Sequence, residues 1–142
     1  MEPLQLVLDT NTLVSALRSR RGASFRLISL LGRDAFEINL SVPLVFEYEE
    51  VLRRHKRILG LTQTAISDLL DYLCKVANLH EIHFLWRPTL PDPADDLVLD
   101  LAANAGCRYI VTYNKRHFQG AAAFGAEAVT ARELLAILGA LS

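Results

Sequence analysis

Apolar residues in this chain come in short runs that end abruptly in polar ones. Residues 4–8 form such a run, closed by Asp9-Thr10-Asn11. The pattern predicts a buried first strand, a turn and then a helix. Residues 13–18 and 24–31 read as short helices separated by Arg21-Gly22. Residues 36–40 alternate as a second strand and lead into Ser41-Val42-Pro43, where proline pre-sets a helical backbone. Leu44, Tyr48, Val51, Leu52 and His55 then recur at helical spacing, and a further helix is expected over 64–77. A third strand is expected over 79–84. Asp92-Pro93 opens a helix through Ala105, which Gly106 ends. Residues 109–112 are a short β-branched strand, and Ala128-Val129 a last one. Thr130-Ala131-Arg132-Glu133 is a capping box opening a final helix. Strands alternating with helices predict an α/β fold with a central parallel sheet covered on both faces.

Composition narrows the class. At 142 residues one domain over 1–142 is expected, with 51% hydrophobic residues to fill its core. No apolar run approaches the roughly 20 residues a membrane span needs. No basic stretch precedes an apolar segment at the start, so neither a signal peptide nor a membrane partner is expected and the predicted location is cytoplasmic. Cys74 and Cys107 lack the spacing of a zinc site or a disulfide framework and read as reduced thiols. The net charge of −1 gives no global footprint for nucleic acid. Cationic residues are nevertheless grouped: Arg18, Arg20 and Arg21, then Arg53, Arg54, Lys56 and Arg57, then Lys115 and Arg116.

Four places along the chain hold candidate chemistry. Asp9 ends the first strand, where open α/β sheets bind ligands, and it also suits the cap of the next helix. Glu47 borders an apolar helical stripe, whereas Glu49 and Glu50 have Arg53 and Arg54 four residues on as surface partners. Asp92, Asp95 and Asp96 share one helical turn. Asp92 serves as a cap and the other two favour the positive helix end, yet three carboxylates there repel one another. A hard divalent cation would relieve that repulsion, using one or two carboxylates together with water and phosphate. Asn114 follows the 109–112 strand much as Asp9 follows the first.

Together these stretches resemble a known family. Val7-Leu8-Asp9-Thr10-Asn11, Glu47-Tyr48, Asp92-Pro93-Ala94-Asp95-Asp96 and Ile110-Val111-Thr112 stand in the order and approximate spacing of a PIN domain. The likeness is greatest to the PIN-family toxins of toxin–antitoxin systems, similar to VapC-type toxins, and LVSALRSRRG and SVPLVFEYEEVLRR strengthen it. The resemblance spans about Leu6 to Phe118. It implies a three-layer α/β/α fold and a Mg²⁺- or Mn²⁺-dependent ribonuclease site. By position, Asp9, Glu47 and Asp95 match the family's acids, with Asp96 the alternative to Asp95. Asn11, Thr112 and Asn114 match supporting polar positions, and Arg18, Arg21, Lys115 and Arg116 are candidates for RNA contact. Many PIN domains carry an acid where this chain has Asn114, which brings no charge. The resemblance further implies an RNA substrate, a cognate antitoxin and a homodimer. Two rivals remain open. An aspartyl-nucleophile phosphatase would want a second acid where Asn11 stands, and a non-catalytic PIN-fold binding module would suit the neutral Asn114.

Overall fold

The first strand, Leu4–Leu8 (β1), is the centre of the molecule, and its Leu6, Val7 and Leu8 are fully buried. In the computed structural model, which describes residues 2–33, 35–81 and 92–141, four more strands join it: Phe36–Ser41 (β2), Asn78–His80 (β3), Tyr109–Val111 (β4) and Glu127–Val129 (β5). All described pairings are parallel and the order is β3-β2-β1-β4-β5. Continuous apolar runs such as 6–8 and 109–111 suit strands covered on both faces, as parallel sheets require.

Helices fill both outer layers: Thr10–Arg18 (α1), Ala23–Ser29 (α2), Val42–Arg54 (α3), the short Lys56–Leu59 (α4), Gln63–Val76 (α5), Pro93–Ala105 (α6) and Ala131–Leu141 (α7). Their starts follow local chemistry. Ser41 accepts from the Leu44 amide at 3.3 Å, Thr62 from Ala65 at 3.0 Å and Asp92 from Ala94 at 3.0 Å. Gly106 closes α6 at φ +65°, a conformation glycine adopts without steric cost. The core joins Leu6, Leu8, Ile38, Leu40, Leu44, Tyr48, Leu101 and Ile110 across the layers. The Tyr48 hydroxyl donates to the Leu8 carbonyl, tying α3 to the end of β1.

The third strand runs from Asn78 to His80, one residue earlier than the alternation suggests. The remainder of the expected 79–84 strand lies outside the described residues, apart from Glu81. Two elements have no counterpart in the sequence pattern. One is α4; the other is a 3-10 helix over Lys115–Phe124, where buried Phe118 and Ala121 stand three apart in an otherwise small and polar stretch. Among the described residues no helix is long and apolar enough to cross a membrane. Cys74 and Cys107 are both free thiols, and burial pushes the Cys107 thiol up to about 12.

The strand order creates a place for a ligand. The chain leaves β1 towards β2 and β3, then returns to lay β4 on the other side of β1. Loops at the carboxyl ends of β1 and β4 therefore diverge and leave a crevice between them.

Candidate active site

That crevice is an open cleft of about 680 Å³. Asp9 from the end of β1, Glu47 from α3 and Asp95 from the first turn of α6 all line it. Three acids separated by up to 86 positions in sequence (9 to 95) thus face one space because each ends or borders an element on the same side of the sheet.

Asp9 is buried and held at both oxygens. Oδ1 accepts from the Thr10 amide at 2.8 Å, and Oδ2 accepts from the Thr112 hydroxyl at 2.7 Å. Capping and cleft roles therefore coexist in one carboxylate. Burial raises its pKa; the Thr112 bond opposes the rise and the nearby Asp95 charge adds to it. Glu47 is half-buried, and its carboxyl is likewise raised, by burial first and then by Glu50 and Asp92. Asp95 is buried and raised by burial and then by Asp92, against the pull of His117. Three carboxyls moved upward at one cleft mark a place where negative charge is concentrated and poorly hydrated.

A family model of the PIN domain matches residues 5–116. The chain belongs to the PIN domain family. Among solved structures it is similar to the crystal structure of VapBC2 from Rickettsia felis bound to a DNA fragment from their promoter. That match has a TM-score of 0.61 and 14% identity, and covers 89% of this chain and 98% of the other. A comparison with curated proteins finds no match.

Around the acids of this PIN domain, the supporting residues form one network. Thr112 is fully buried; its hydroxyl donates to Asp9 and accepts from the Asn114 amide at 3.0 Å and from Asn11 Nδ2 at 3.5 Å. Asn11 Oδ1 in turn accepts from the Tyr113 amide at 3.2 Å. The ends of β1 and β4 are thereby cross-linked directly beneath the cleft. Asn114 lines the cleft from an exposed position, and its carbonyl accepts from the His117 amide at 2.9 Å.

The other candidates separate. Asp95, not Asp96, lines the cleft; Asp96 lies one residue on, and four positions further along α6 Asp100 is raised by burial first and then by the Asp96 charge. Arg18 lines the cleft, and so does Arg54, which pairs only loosely with Glu50 at 3.9 Å. Arg21 is exposed and is not among the lining residues. Lys115 is bound to Glu133 at 3.0 Å, and with Arg116 and Arg108 it lines a second groove beside β5. The positive end of α6 is already engaged by its own Asp92 cap.

His117 stands outside the residues that sequence reasoning singles out. Its Nδ1 lies 2.9 Å from Asp95 Oδ2, so an Nδ1–H donor holds one oxygen of that acid. The only sequence signal is its place in the polar turn after β4, three residues past Asn114. The 3-10 helix makes that spacing matter by folding His117 back over α6.

A divalent cation fits this donor set by chemistry: hard carboxylate oxygens beside amide and hydroxyl groups, with a surplus of negative charge. Among the described residues no three His, Cys, Asp or Glu side chains are grouped as a ready-made metal site.

Proposed function

We propose that this PIN domain is a divalent-cation-dependent endoribonuclease, acting as the toxin of a toxin–antitoxin pair and hydrolysing RNA phosphodiester bonds with Mg²⁺ or Mn²⁺. The observation that carries the reading is the meeting of Asp9, Glu47 and Asp95 at one cleft, each with its carboxyl raised towards the neutral form. A bound divalent ion would polarise the phosphate and lower the pKa of an attacking water. Asp9, Glu47 and Asp95 would hold it, directly or through bound water.

The remaining groups act by position. Thr112 and the Thr10 amide fix both oxygens of Asp9, so that carboxylate meets an ion with little loss of conformational freedom. His117 holds one oxygen of Asp95. Arg18 and Arg54 supply positive charge at the cleft for the phosphates of the strand. Among the described cleft-lining residues there is neither a cysteine nor a Ser–His hydrogen bond of the kind nucleophilic catalysis uses.

The toxin role and the antitoxin partner are supported by the likeness to the VapBC2 structure and by the family-like stretches at 13–22 and 41–54. The test is cleavage of RNA by purified protein with Mn²⁺, with Mg²⁺ and with chelator. Cleavage that needs a divalent ion and disappears in Asp9→Asn supports the reading; equal cleavage by that variant rejects it. Induced expression should slow growth of a bacterial host, and co-expression of a cognate antitoxin should restore it.

A further inference from the structure

One aromatic side chain at the cleft has no part in the acid chemistry. Tyr113 directly follows Thr112, and 47% of it is exposed, yet it is held at both ends. Its amide donates to Asn11 Oδ1 at 3.2 Å. Its hydroxyl meets Ser24 Oγ at 2.6 Å and accepts from Ser15 Oγ at 3.1 Å. Ser24 is buried at the start of α2 and Ser15 lies on α1, so two helices pin the far end of the ring. An exposed tyrosine ordinarily samples several rotamers; this one is fixed while keeping much of its surface open to the cleft.

We propose that Tyr113 is a stacking platform for one base of a single-stranded RNA, setting the position of the nucleotide beside the scissile phosphate. This rests on the ribonuclease reading. The location suits it: the Thr112 hydroxyl, one residue away, touches Asp9, and Arg18 lines the same cleft with charge for the adjoining phosphate. A pre-ordered aromatic side chain in a cleft that also carries positive charge is the usual means of gripping unpaired bases without selecting their identity. Stacking of this kind needs the base out of a duplex, so the preferred substrate is a single strand or a loop.

A tyrosine serving only as a tether between β4 and the α1–α2 pair would need its hydroxyl and not its ring. Tyr113→Phe and Tyr113→Leu both remove the hydroxyl, and only Phe keeps an aromatic face. Their comparison therefore isolates the ring from any shared loss of stability. Binding is measured by fluorescence anisotropy with labelled single-stranded RNA of ten nucleotides in the Asp9→Asn background with Mg²⁺, which keeps strands intact. Each base is removed in turn by an abasic substitution. Leu should weaken binding about tenfold, within the roughly five- to hundredfold range of one base stack, and Phe by no more than about twofold. Abasic substitution at one position should reproduce the Leu loss and add nothing to it. Equal binding by Phe and Leu, or an abasic scan with no position coupled to Tyr113, overturns the platform while RNA cleavage by the unmutated protein leaves the ribonuclease reading standing. If that protein neither cleaves nor binds RNA, both fall.

Discussion

Replacing Thr112 by valine removes one oxygen from a fully buried position and changes little else in shape. Its hydroxyl donates to Asp9 Oδ2 at 2.7 Å and accepts from the Asn114 amide at 3.0 Å. A hydrogen bond to a charged group contributes about 1.5–3 kcal/mol, against about 0.5–1.5 kcal/mol for a neutral one. The Asn114 amide belongs to an exposed residue, so water can take the place of its lost acceptor. The cost of Thr112→Val should therefore be about 2–3 kcal/mol while Asp9 is ionised and about 1 kcal/mol once it is protonated. The direction with pH follows from the raised carboxyl of Asp9. A carboxyl raised in the folded state stabilises the fold fully below its unfolded pKa and loses that contribution as pH rises through the folded pKa. Removing the Thr112 donor raises the folded pKa further, so the variant loses more stability than the parent over that rise. Urea unfolding at about pH 3.5, below the ordinary aspartate value, and at about pH 7.5 brackets the window. In thermal melts about 2–3 kcal/mol corresponds to roughly 8–12 °C for a domain of this size, shrinking to roughly 4 °C in acid. An identical loss at both pH values would refute the reasoning, because it would mean that Thr112 acts through packing and the Asn114 amide and not through the Asp9 charge.

Three further outcomes are expected at the site. Asp9→Asn should abolish divalent-dependent RNA cleavage without lowering the melting temperature at neutral pH, since it deletes a buried charge and keeps an oxygen for the Thr10 amide; cleavage gels and calorimetry check the two halves separately. His117→Asn should retain much of the wild-type Mn²⁺ affinity, because its amide nitrogen can stand where Nδ1 does, whereas His117→Ala should weaken titrated binding several-fold; equal affinities would remove His117 from the site. Asn114→Asp should tighten Mn²⁺ binding. A unit-charge pair at about 4 Å with an effective dielectric near 20 gives an upper figure of ~4 kcal/mol, so a third of it surviving desolvation and repulsion is about tenfold; unchanged affinity would place Asn114 outside the ion's reach.

The alternation of apolar runs with helical stripes is sufficient to read the α/β class and most element positions, because each buried strand ends where its apolar run ends. Asp9 is legible for the same reason: a carboxylate set directly after Leu6-Val7-Leu8 can only stand at the carboxyl edge of the sheet. Glu47 is legible by lacking a cation one helical turn away. His117 is not, since its contact with Asp95 spans 22 positions and depends on a 3-10 helix whose sequence has little period of its own. The pinning of Tyr113 by Ser15 and Ser24 is hidden likewise, because hydroxyl contacts across 98 and 89 positions leave no local pattern. Strand β3 starts earlier than its apolar pattern suggests because Asn78 and His80 are polar and join a side-chain ladder instead of an apolar layer. His80 meets Asn39 at 2.7 Å, and Asn78 meets both Gln5 and Glu37 at 3.1 Å.

That contrast between the two edges of the β1 strand explains where the acids stand. Near the amino ends of the strands, the polar groups of Gln5, Glu37, Asn39 and Asn78 satisfy one another, and the Glu37 carboxyl is lowered by its two amide donors. At the carboxyl ends the arrangement is inverted. Asp9, Glu47 and Asp95 gather where burial and then repulsion between carboxylates outweigh the donors they have, and all three are raised. The polar groups of the first cluster bond one another inside the protein, and the second keeps charge that Arg54 and His117 offset only in part, which suits an outside cation or a proton. Of these two polar clusters, the fold's own hydrogen bonds account for the first and for only part of the second. The second is therefore where the proposed cation-dependent chemistry would take place.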